Sequence, residues 1–478
     1  MAEESLKDKT AKGLVWSCIE RFSMQGIQFL VTIVLARLLT PNDYGLVGML
    51  SVFLAVAQSL IDSGFSQALI RKTDKSDIDC DTVLWFNVVI SIIIYFVLFF
   101  SAPYIAFYFK EPYLCKILRT LGIVVIINGS AVVQRALFII DINFKLQTKA
   151  TLLAAVLSGT IGIYMAYTGY GVWALVCQQI VNSLVTTLFL WFYSLWRPKF
   201  LFSVAAFREM FSFGSKLLIS GLVNTVYNNI YQLTIGKVFN AATLGYYTRS
   251  QQFAQLPSVS LTDVFQRVLY PVLCKIQDDK ERYRIVFVKF LRTSAFVIFP
   301  IMCLLAGISR TLILILLGEK WLFAATLLVP LSLAAMLYPM HALNLNVITV
   351  IGRSDLFLKV EIYKKIIGVL ILTITIPLGV TVMCYGSILG SLLALVINTH
   401  YTKREIDYGL FAQIKDLLPI TLLSSAIFAQ AYLISFLVTN SWLSLIVSCI
   451  IGFILALFCI YVFNFKEIEY IKSFIRND

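Results

Sequence analysis

The chain has 478 residues, of which 59% are hydrophobic and only 14% are charged, and its mean hydropathy is +0.85. Soluble domains carry about 25% charged residues, and a single soluble core stops growing near roughly 250–300 residues, so a larger core cannot hold this apolar excess. The composition therefore predicts an integral membrane protein and excludes most soluble enzymes. A formal charge of +13 is typical of basic cytoplasmic loops, so we expect no nucleic-acid partner.

Long runs without charge predict the membrane spans. Residues 150–196 contain no Asp, Glu, Lys or Arg and are interrupted by Thr168-Gly169-Tyr170-Gly171. A helix that crosses about 30 Å of hydrocarbon needs roughly 20 apolar residues, so this run predicts two spans and a turn. The same reading predicts an all-α membrane protein with about fourteen transmembrane helices, near residues 13–39, 44–66, 82–109, 117–139, 149–168, 171–196, 212–239, 243–272, 285–308, 321–349, 356–379, 383–402, 416–438 and 442–464.

The basic residues predict how these helices are oriented. With the N-terminus in the cytoplasm, 31 of the 39 basic residues fall on the inner side and 8 on the outer side. The positive-inside rule therefore predicts a multi-pass membrane protein with both termini in the cytoplasm. The outer basic residues are Arg37, Lys110, Lys116, Arg119, Lys237, Arg249, Arg310 and Lys320.

A sequence pattern recurs at an offset of 200 residues. Residues 35–40 read LARLLT and are followed by Gly45, whereas residues 235–240 read IGKVFN and are followed by Gly245. The repeat predicts two six-helix lobes in the same orientation, at residues 1–205 and 206–404, and an additional C-terminal helix pair at 405–478. Transporters built from such repeats place their binding site at the interface of the repeats.

Polar residues recur every four positions in predicted helix seven, and equivalent positions in helices one, two and eight are also polar. Because polar side chains in a span are costly, the stripes predict a central cavity. The alternative is hydrogen bonding to neighbouring helices, worth roughly 0.6 kcal/mol each. The residues that define the stripes include Glu20, Gln28, Gln58, Asp62, Lys216, Ser220, Asn224, Asn228, Gln232, Gln251 and Gln255.

The sequence lacks the motifs of several chemistries. It has no phosphate-binding loop of the ATPase type, only two histidines and no Cys-x-x-Cys spacing, so we expect neither an enzyme, nor a cofactor, nor a metal site. The acidic residues between Asp74 and Asp81 predict a solvated inner loop. Glu20 and Asp62, nearer membrane depth, are the candidates for proton or sodium coupling.

Motifs spread along the chain resemble those of Wzx-type oligosaccharide flippases, in the superfamily that also holds MATE-type multidrug antiporters and lipid II flippases. They are Ala36–Pro41 with Tyr44-Gly45, Gly171–Leu175, Gly318–Trp321 and Gly352–Asp355. The resemblance implies transport of undecaprenyl-pyrophosphate-linked oligosaccharide repeat units across the bacterial plasma (inner) membrane, by alternating access, for capsule, exopolysaccharide or O-antigen biosynthesis. It also implies a polysaccharide polymerase and glycosyltransferases as pathway partners, beside membrane lipids.

Such a substrate is anionic and carries sugars, so its cavity should be cationic and polar. We predict that the cavity contains Arg21, Gln28, Lys216, Asn224, Asn228, Gln232, Arg249 and Arg292. The arginines and the lysine are suited to pyrophosphate, and Tyr227 and Tyr231 either stack on sugars or pack at the interface. The alternatives are a cation-coupled MATE-type drug antiporter, which should carry unpaired acids in its cavity, and a non-transporting scaffold, which would not need matched polar stripes.

Overall fold

A computed structural model of the chain describes residues 23–62, 64–72, 74–141, 144–463 and 467, and these residues form helices and connections without a strand. The helices are α1 Ser23–Leu38, α2 Pro41–Asp62, α3 Phe65–Arg71, α4 Asp77–Phe109, α5 Tyr113–Leu121, α6 Ile123–Gly129, α7 Val132–Ile140, α8 Phe144–Tyr167, α9 Val172–Tyr193, α10 Val204–Asn228, α11 Ile230–Val238, α12 Ala241–Lys275, α13 Lys280–Gly307, α14 Ser309–Leu316, α15 Leu322–Met336, α16 Tyr338–Val350, α17 Ser354–Thr375, α18 Val380–Ile406, α19 Leu410–Leu437 and α20 Ser441–Phe463. Short 3-10 turns at Glu319–Trp321 and Ile376–Leu378 complete them.

The helices confirm an all-α, multi-pass membrane protein. Within the described ranges, nine helices are long and apolar enough to cross a membrane, and the bent pair Tyr113–Gly129 with Val132–Ile140 makes ten. Helices α1, α10, α11, α12, α14 and α17 lie outside this count. Over their described residues, helices α1, α11 and α14 are too short to cross alone, α10 and α12 carry polar stripes, and α17 carries Lys359, Lys364 and Lys365. The total of fourteen spans stays a prediction.

Packing divides the chain into two compact units, Met1–Gly245 and Tyr246–Asp478. In the first unit, α8 and α9 form a helical hairpin, and α10 packs on α2, α3 and α4. In the second unit, α13 packs along α19 and also touches α15 and α16, while α17 pairs with α18. The first unit thus includes α10 and α11. The boundary between lobes at residues 205 and 206 comes from the sequence repeat and stays a prediction.

Aromatic and aliphatic side chains form the core of each unit. In the first, the ring of Phe65 lies 4.5 Å from that of Phe86 and 5.8 Å from that of Phe207, which joins α3, α4 and α10. In the second, Phe287 and Leu291 of α13 are fully buried in a cluster that α16 and α19 complete. Within each unit, these clusters hold the helices that carry the polar side chains in place against one another.

The first turns of α2 and α12 touch through glycine, inside the first unit. A Cβ atom added at Gly45 would overlap the backbone of Ala241, and one added at Gly245 would overlap the carbonyl of Pro41, both well inside the 3.0 Å that real Cβ atoms respect. Only glycine fits so close a backbone approach. The two glycines, which the sequence places 200 residues apart, therefore make one reciprocal contact.

The acidic residues around the start of α4 form only in part the solvated loop that the sequence predicts, because Asp74 and Asp77 are exposed whereas Asp79 and Asp81 are buried. Asp79 is buried, accepts a hydrogen bond from the Ser76 backbone N–H at 2.9 Å, and pairs with Lys72 at 3.1 Å. Lys72 also pairs with Glu209 at 3.1 Å. Asp81 is fully buried and accepts the Lys199 backbone N–H at 2.8 Å. The carboxylates cap a helix and tie down a distant segment, which is why they leave the solvent.

The pKa of Lys72 lies above its ordinary value, chiefly because the hydrogen bond to Asp79 favours the charged ammonium. A raised pKa in the folded protein means that this pairing stabilises the fold below the ordinary lysine pKa and is lost only in alkaline solution. The pair is therefore intact at neutral pH, where it joins the start of α4 to α10 through Glu209.

Candidate functional site

A chain of hydrogen bonds crosses three helices of the first unit. Arg135 Nη2 donates to Asn128 Oδ1 at 3.3 Å, Asn128 Nδ2 donates to Gln58 Oε1 at 2.9 Å, and Gln58 Nε2 donates to Asp62 Oδ1 at 3.1 Å. We call these four residues the Asp62–Arg135 network. Every donor points towards the carboxylate, so the bonds polarise one another in the same direction.

Local helix geometry positions the four side chains. Gln58 and Asp62 stand four residues apart on α2, so they occupy one face of that helix. Asn128 lies near the end of α6 and Arg135 in α7, and the helix pair bends by 41° between them. The bend occurs at the break between α6 and α7, so the two hydrogen-bonded side chains stand on either side of it.

The network joins one positive and one negative group that lie in helices long and apolar enough to cross a membrane. In the described part of the chain the two charges are joined through the amides and make no direct ion pair. Arg135 is partly buried, whereas Asp62 is exposed at the surface of the first unit. Ionisable groups inside a membrane are costly and mark substrate or ion pathways. This arrangement can hold an anion at one end and a proton or cation at the other.

The helix-seven stripe is divided between a paired end and an exposed end. Gln232 in α11 accepts a hydrogen bond from the Ser51 hydroxyl of α2 at 2.8 Å, so here two stripe residues contact each other within the first unit. Asn224 and Asn228 of α10 are exposed at the surface of that unit, as is Gln28 of α1. Packing between helices therefore explains Gln232, and the cavity prediction concerns the exposed amides.

The predicted cations have different surroundings. Arg292 Nε donates to Glu467 Oε1 at 2.5 Å, and Glu467 is fully buried, so this guanidinium already has a carboxylate partner. Arg249 is half-buried on α12 in the region where α12 enters the second unit. Glu20, Arg21 and the side chain of Lys216 lie outside the described residues.

Two residues of the network were missed by sequence reasoning. Asn128 and Arg135 lie in predicted helix four, where Asn128 and the pair Gln134-Arg135 interrupt the apolar run that follows Arg119. That interruption was the available signal. Nothing in the spacing indicates that Asn128 meets Gln58, which lies 70 residues earlier.

Comparison with known sequences gives a consistent set of relatives. A family profile described as "Polysaccharide biosynthesis protein" matches residues 34–326. The "Lipopolysaccharide biosynthesis protein WzxC" of Escherichia coli K12 is 27% identical over 83% of this chain and 80% of its own length. The "Teichuronic acid biosynthesis protein TuaB" of Bacillus subtilis is 25% identical over 74% of this chain and 73% of its own length.

Comparison with solved structures identifies the fold. The "Lipid II flippase MurJ" in an inward closed conformation superposes with a TM-score of 0.78 over 94% of this chain and 98% of that one, at 14% identity. An inward-facing "multidrug resistance MATE family transporter" superposes with a TM-score of 0.61 over 80% of this chain and 94% of that one, also at 14% identity. At such identities the similarity shows the shared fold and nothing more specific.

Proposed function

The chain belongs to the polysaccharide biosynthesis protein family, and on this premise we propose that it is a flippase for polyprenyl-pyrophosphate-linked oligosaccharide repeat units. It would move them across the bacterial plasma membrane for capsule, exopolysaccharide or O-antigen assembly. The observation that carries the proposal is the match of the family profile over residues 34–326. The curated relatives named for lipopolysaccharide and teichuronic acid biosynthesis support the same substrate class.

The proposed architecture has fourteen spans and two repeated lobes. Besides the apolar spans, α1, α10–α11, α12 and α17 would supply the four remaining helices at the predicted positions. Their polar content is what a helix facing an aqueous path requires. The reciprocal contact of Gly45 and Gly245 supports a repeat at an offset of 200 residues. An even number of spans leaves both termini on the same side of the membrane, and the positive-inside rule predicts that this side is the cytoplasm.

We assign the pyrophosphate to the cationic end of the Asp62–Arg135 network. A guanidinium offers several N–H donors to a phosphate, and such charge-assisted bonds are stronger than neutral ones. Binding of the anion would take Arg135 from the Asn128 amide, whose oxygen is its present partner. Asn128 is hydrogen-bonded to Gln58, and Gln58 is hydrogen-bonded to Asp62. Loss of the bond between Arg135 and Asn128 would therefore alter the hydrogen bonding of the Asp62 carboxylate.

Asp62 is then the group that we propose for ion coupling. An exposed carboxylate near the end of a span can take up a proton or bind sodium, and its state affects the Gln58 amide to which it is bonded. The exposed amides Gln28, Asn224 and Asn228 suit the sugar hydroxyls, and Arg21, Lys216 and Arg249 remain proposed cations of the path. Arg292 is a weaker candidate because a carboxylate already neutralises it.

Replacement of Arg135 tests this assignment. Loss of a hydrogen bond to a charged group costs about 1.5–3 kcal/mol, which corresponds to roughly a tenfold to hundredfold loss of affinity. We therefore expect Arg135→Gln to slow translocation of a lipid-linked oligosaccharide in reconstituted vesicles by at least about tenfold. Arg135→Lys, which keeps the charge and loses the planar fork, should fall between Arg135→Gln and the unmodified protein.

Arg119 provides a matched control in the preceding helix α5. Its guanidinium lies 4.3 Å from the centre of the Phe99 ring and donates to the Phe99 carbonyl, so it has a packing role of its own. Arg119→Gln should leave translocation near the normal rate. Equal loss in both variants would show that any missing arginine impairs the protein, and an unaffected Arg135→Gln would remove Arg135 from the substrate path.

The observation that favours the drug-antiporter alternative is the exposed acid Asp62. The fold is shared by both classes and does not choose between them, whereas the family match is specific to polysaccharide biosynthesis. Proton-driven accumulation of an organic cation such as ethidium in the same vesicles would favour the antiporter.

A further inference from the structure

The second unit contains an open cavity of about 570 Å³ between α14, α15, α18 and α19. Its polar groups are one arginine, Arg310, and several hydroxyls, and its lining contains no acid. Aromatic rings form most of the remaining wall. The lining residues that matter here are Arg310, Ser309, Thr326, Tyr385, Tyr432 and Phe436.

Close packing holds Arg310 at the mouth of this cavity. A Cβ atom added at Gly307 would come within 3.0 Å of Ala431 and of the Phe428 carbonyl, so the end of α13 lies directly on α19. One residue beyond Arg310, the Thr311 hydroxyl lies 3.3 Å from that of Ser444 in α20. The start of α14 is therefore fixed between α19 and α20.

The guanidinium of Arg310 is available to an anion. Its carbon lies 5.9 Å from the centre of the Phe436 ring, which is a contact with one face of the group. A guanidinium packed by its face keeps its N–H edges for a phosphate. The rings of Tyr432 and Phe436 lie 5.0 Å apart and complete the wall next to it.

A second cavity with basic and aromatic lining residues lies in the first unit. It measures about 790 Å³, contains Lys110 and Lys237, and has aromatic walls from Tyr104, Phe107 and Tyr108, again without an acid in its lining. Lys110 precedes Arg310 by 200 residues, which is the repeat offset of the sequence. Lys110 follows α4 and Arg310 follows α13, so each cavity has its cation beyond the same end of an equivalent helix.

Both cavities adjoin apolar surface that is suited to lipid chains. Leu437, beside the Arg310 cavity, is 78% exposed, and Phe100, near the Lys110 cavity, is 66% exposed. Tyrosine is enriched at membrane interfaces, where the phosphates of lipids also lie. In the proposed topology both cavities open at the outer side of the membrane.

We propose that each cavity binds the phosphate headgroup of an anionic glycerophospholipid of the outer leaflet. Arg310 pairs with the phosphate in the second unit, and Lys110 with Lys237 does so in the first. The aromatic rings contact the glycerol, and the acyl chains lie on the adjoining apolar surface. These sites are separate from the transport substrate and do not depend on which substrate is flipped.

Native mass spectrometry of the purified full chain tests the proposal. Titrated with phosphatidylglycerol, the protein should bind two lipids more tightly than the others, and phosphatidylcholine with the same acyl chains should bind each site at least fivefold more weakly. Arg310→Gln should weaken one of the two sites at least fivefold and leave the other unchanged. The Lys110→Gln, Lys237→Gln double variant should weaken the remaining site.

Arg353 supplies the control, because it is another exposed arginine of the second unit and pairs with Asp355 outside the cavity. Arg353→Gln should keep both lipids. If Arg310→Gln does not fold, Arg310→Lys, which keeps the charge, should bind with intermediate affinity.

Four results would overturn the proposal. The first is retention of both lipids by the Arg310 variants, and the second is equal binding of phosphatidylcholine. The other two concern the source of the phosphate. If free glycerol phosphate binds as tightly as the lipid, the sites recognise a soluble phosphate, and if a polyprenyl pyrophosphate displaces phosphatidylglycerol at equal concentration, they belong to the substrate path.

Discussion

The reciprocal glycine contact predicts that a single methyl group will destabilise the first unit. In Gly45→Ala the new Cβ would overlap the backbone of Ala241, which is not the flexible end of a side chain and cannot rotate away. The first turns of α2 and α12 would have to separate. Gly245→Ala would force the same separation from the other side, against the Pro41 carbonyl.

The size of the effect follows from two opposing contributions. Overpacking at a tight contact costs about 1–3 kcal/mol, whereas alanine in a helix interior is favoured over glycine by up to about 1 kcal/mol. Replacement of Gly26 in α1 distinguishes the helix contribution from the overpacking cost, because no atom lies within 4 Å of a Cβ added there. Gly26→Ala should gain the helix contribution alone, so the variants should differ in stability by about 1–3 kcal/mol.

Thermal unfolding in detergent, followed by the loss of monodisperse protein, measures this difference. In a domain of roughly 150–250 residues each kcal/mol shifts the Tm by about 2–4 °C. Gly45→Ala and Gly245→Ala should unfold several degrees below Gly26→Ala. Because both substitutions open the same contact, their double variant should lose less than the sum of the two. A Gly45→Ala protein as stable as Gly26→Ala would refute the reasoning.

Three further predictions concern topology, the substrate path and the C-terminal segment. A phosphatase active only outside the cytoplasm should work when fused after Thr168 and fail after Lys280, and activity at Lys280 would contradict the proposed orientation. Lys216→Ala should slow flipping in vesicles while membrane insertion, measured by quantitative blotting, stays normal; unchanged translocation would count against its role. Arg292→Ala leaves the buried Glu467 carboxylate unpaired and should cost about 3–5 kcal/mol, visible as a lower Tm, and Glu467→Ala in the same chain should restore part of the loss.

The sequence was informative where one local pattern determines the outcome. Charge-free runs predicted the apolar helices because the bilayer imposes a length and a composition on each span. The turn at residues 168–171 was predicted, and there Gly169 and Gly171 adopt φ values of 86° and 55°, which favour glycine. The offset of 200 residues linked Gly45 and Gly245, although it did not reveal that they touch.

Contacts between distant segments could not be predicted from one sequence. Asp81 belongs to a segment that resembles a solvated loop, and it is buried because the Lys199 backbone, 118 residues later, donates to it. The sequence around Arg292 offers no carboxylate partner, and the partner is Glu467, which lies 175 residues later. The link from Asn128 to Gln58 is equally remote. In each case the partner is determined by helix packing, which no local spacing encodes.

The most direct test of the central claim is translocation by the unmodified protein in vesicles that contain a polyprenyl-pyrophosphate-linked oligosaccharide in both leaflets. Periodate, which does not cross the membrane, oxidises only the sugars that are exposed outside. In protein-free vesicles about half of the oligosaccharide should stay protected, as expected for two equal leaflets. With the flippase present, the protected fraction should fall towards zero as inner-leaflet substrate moves outward. A protected fraction that remains at half, with intact and folded protein in the vesicles, would contradict the proposed function.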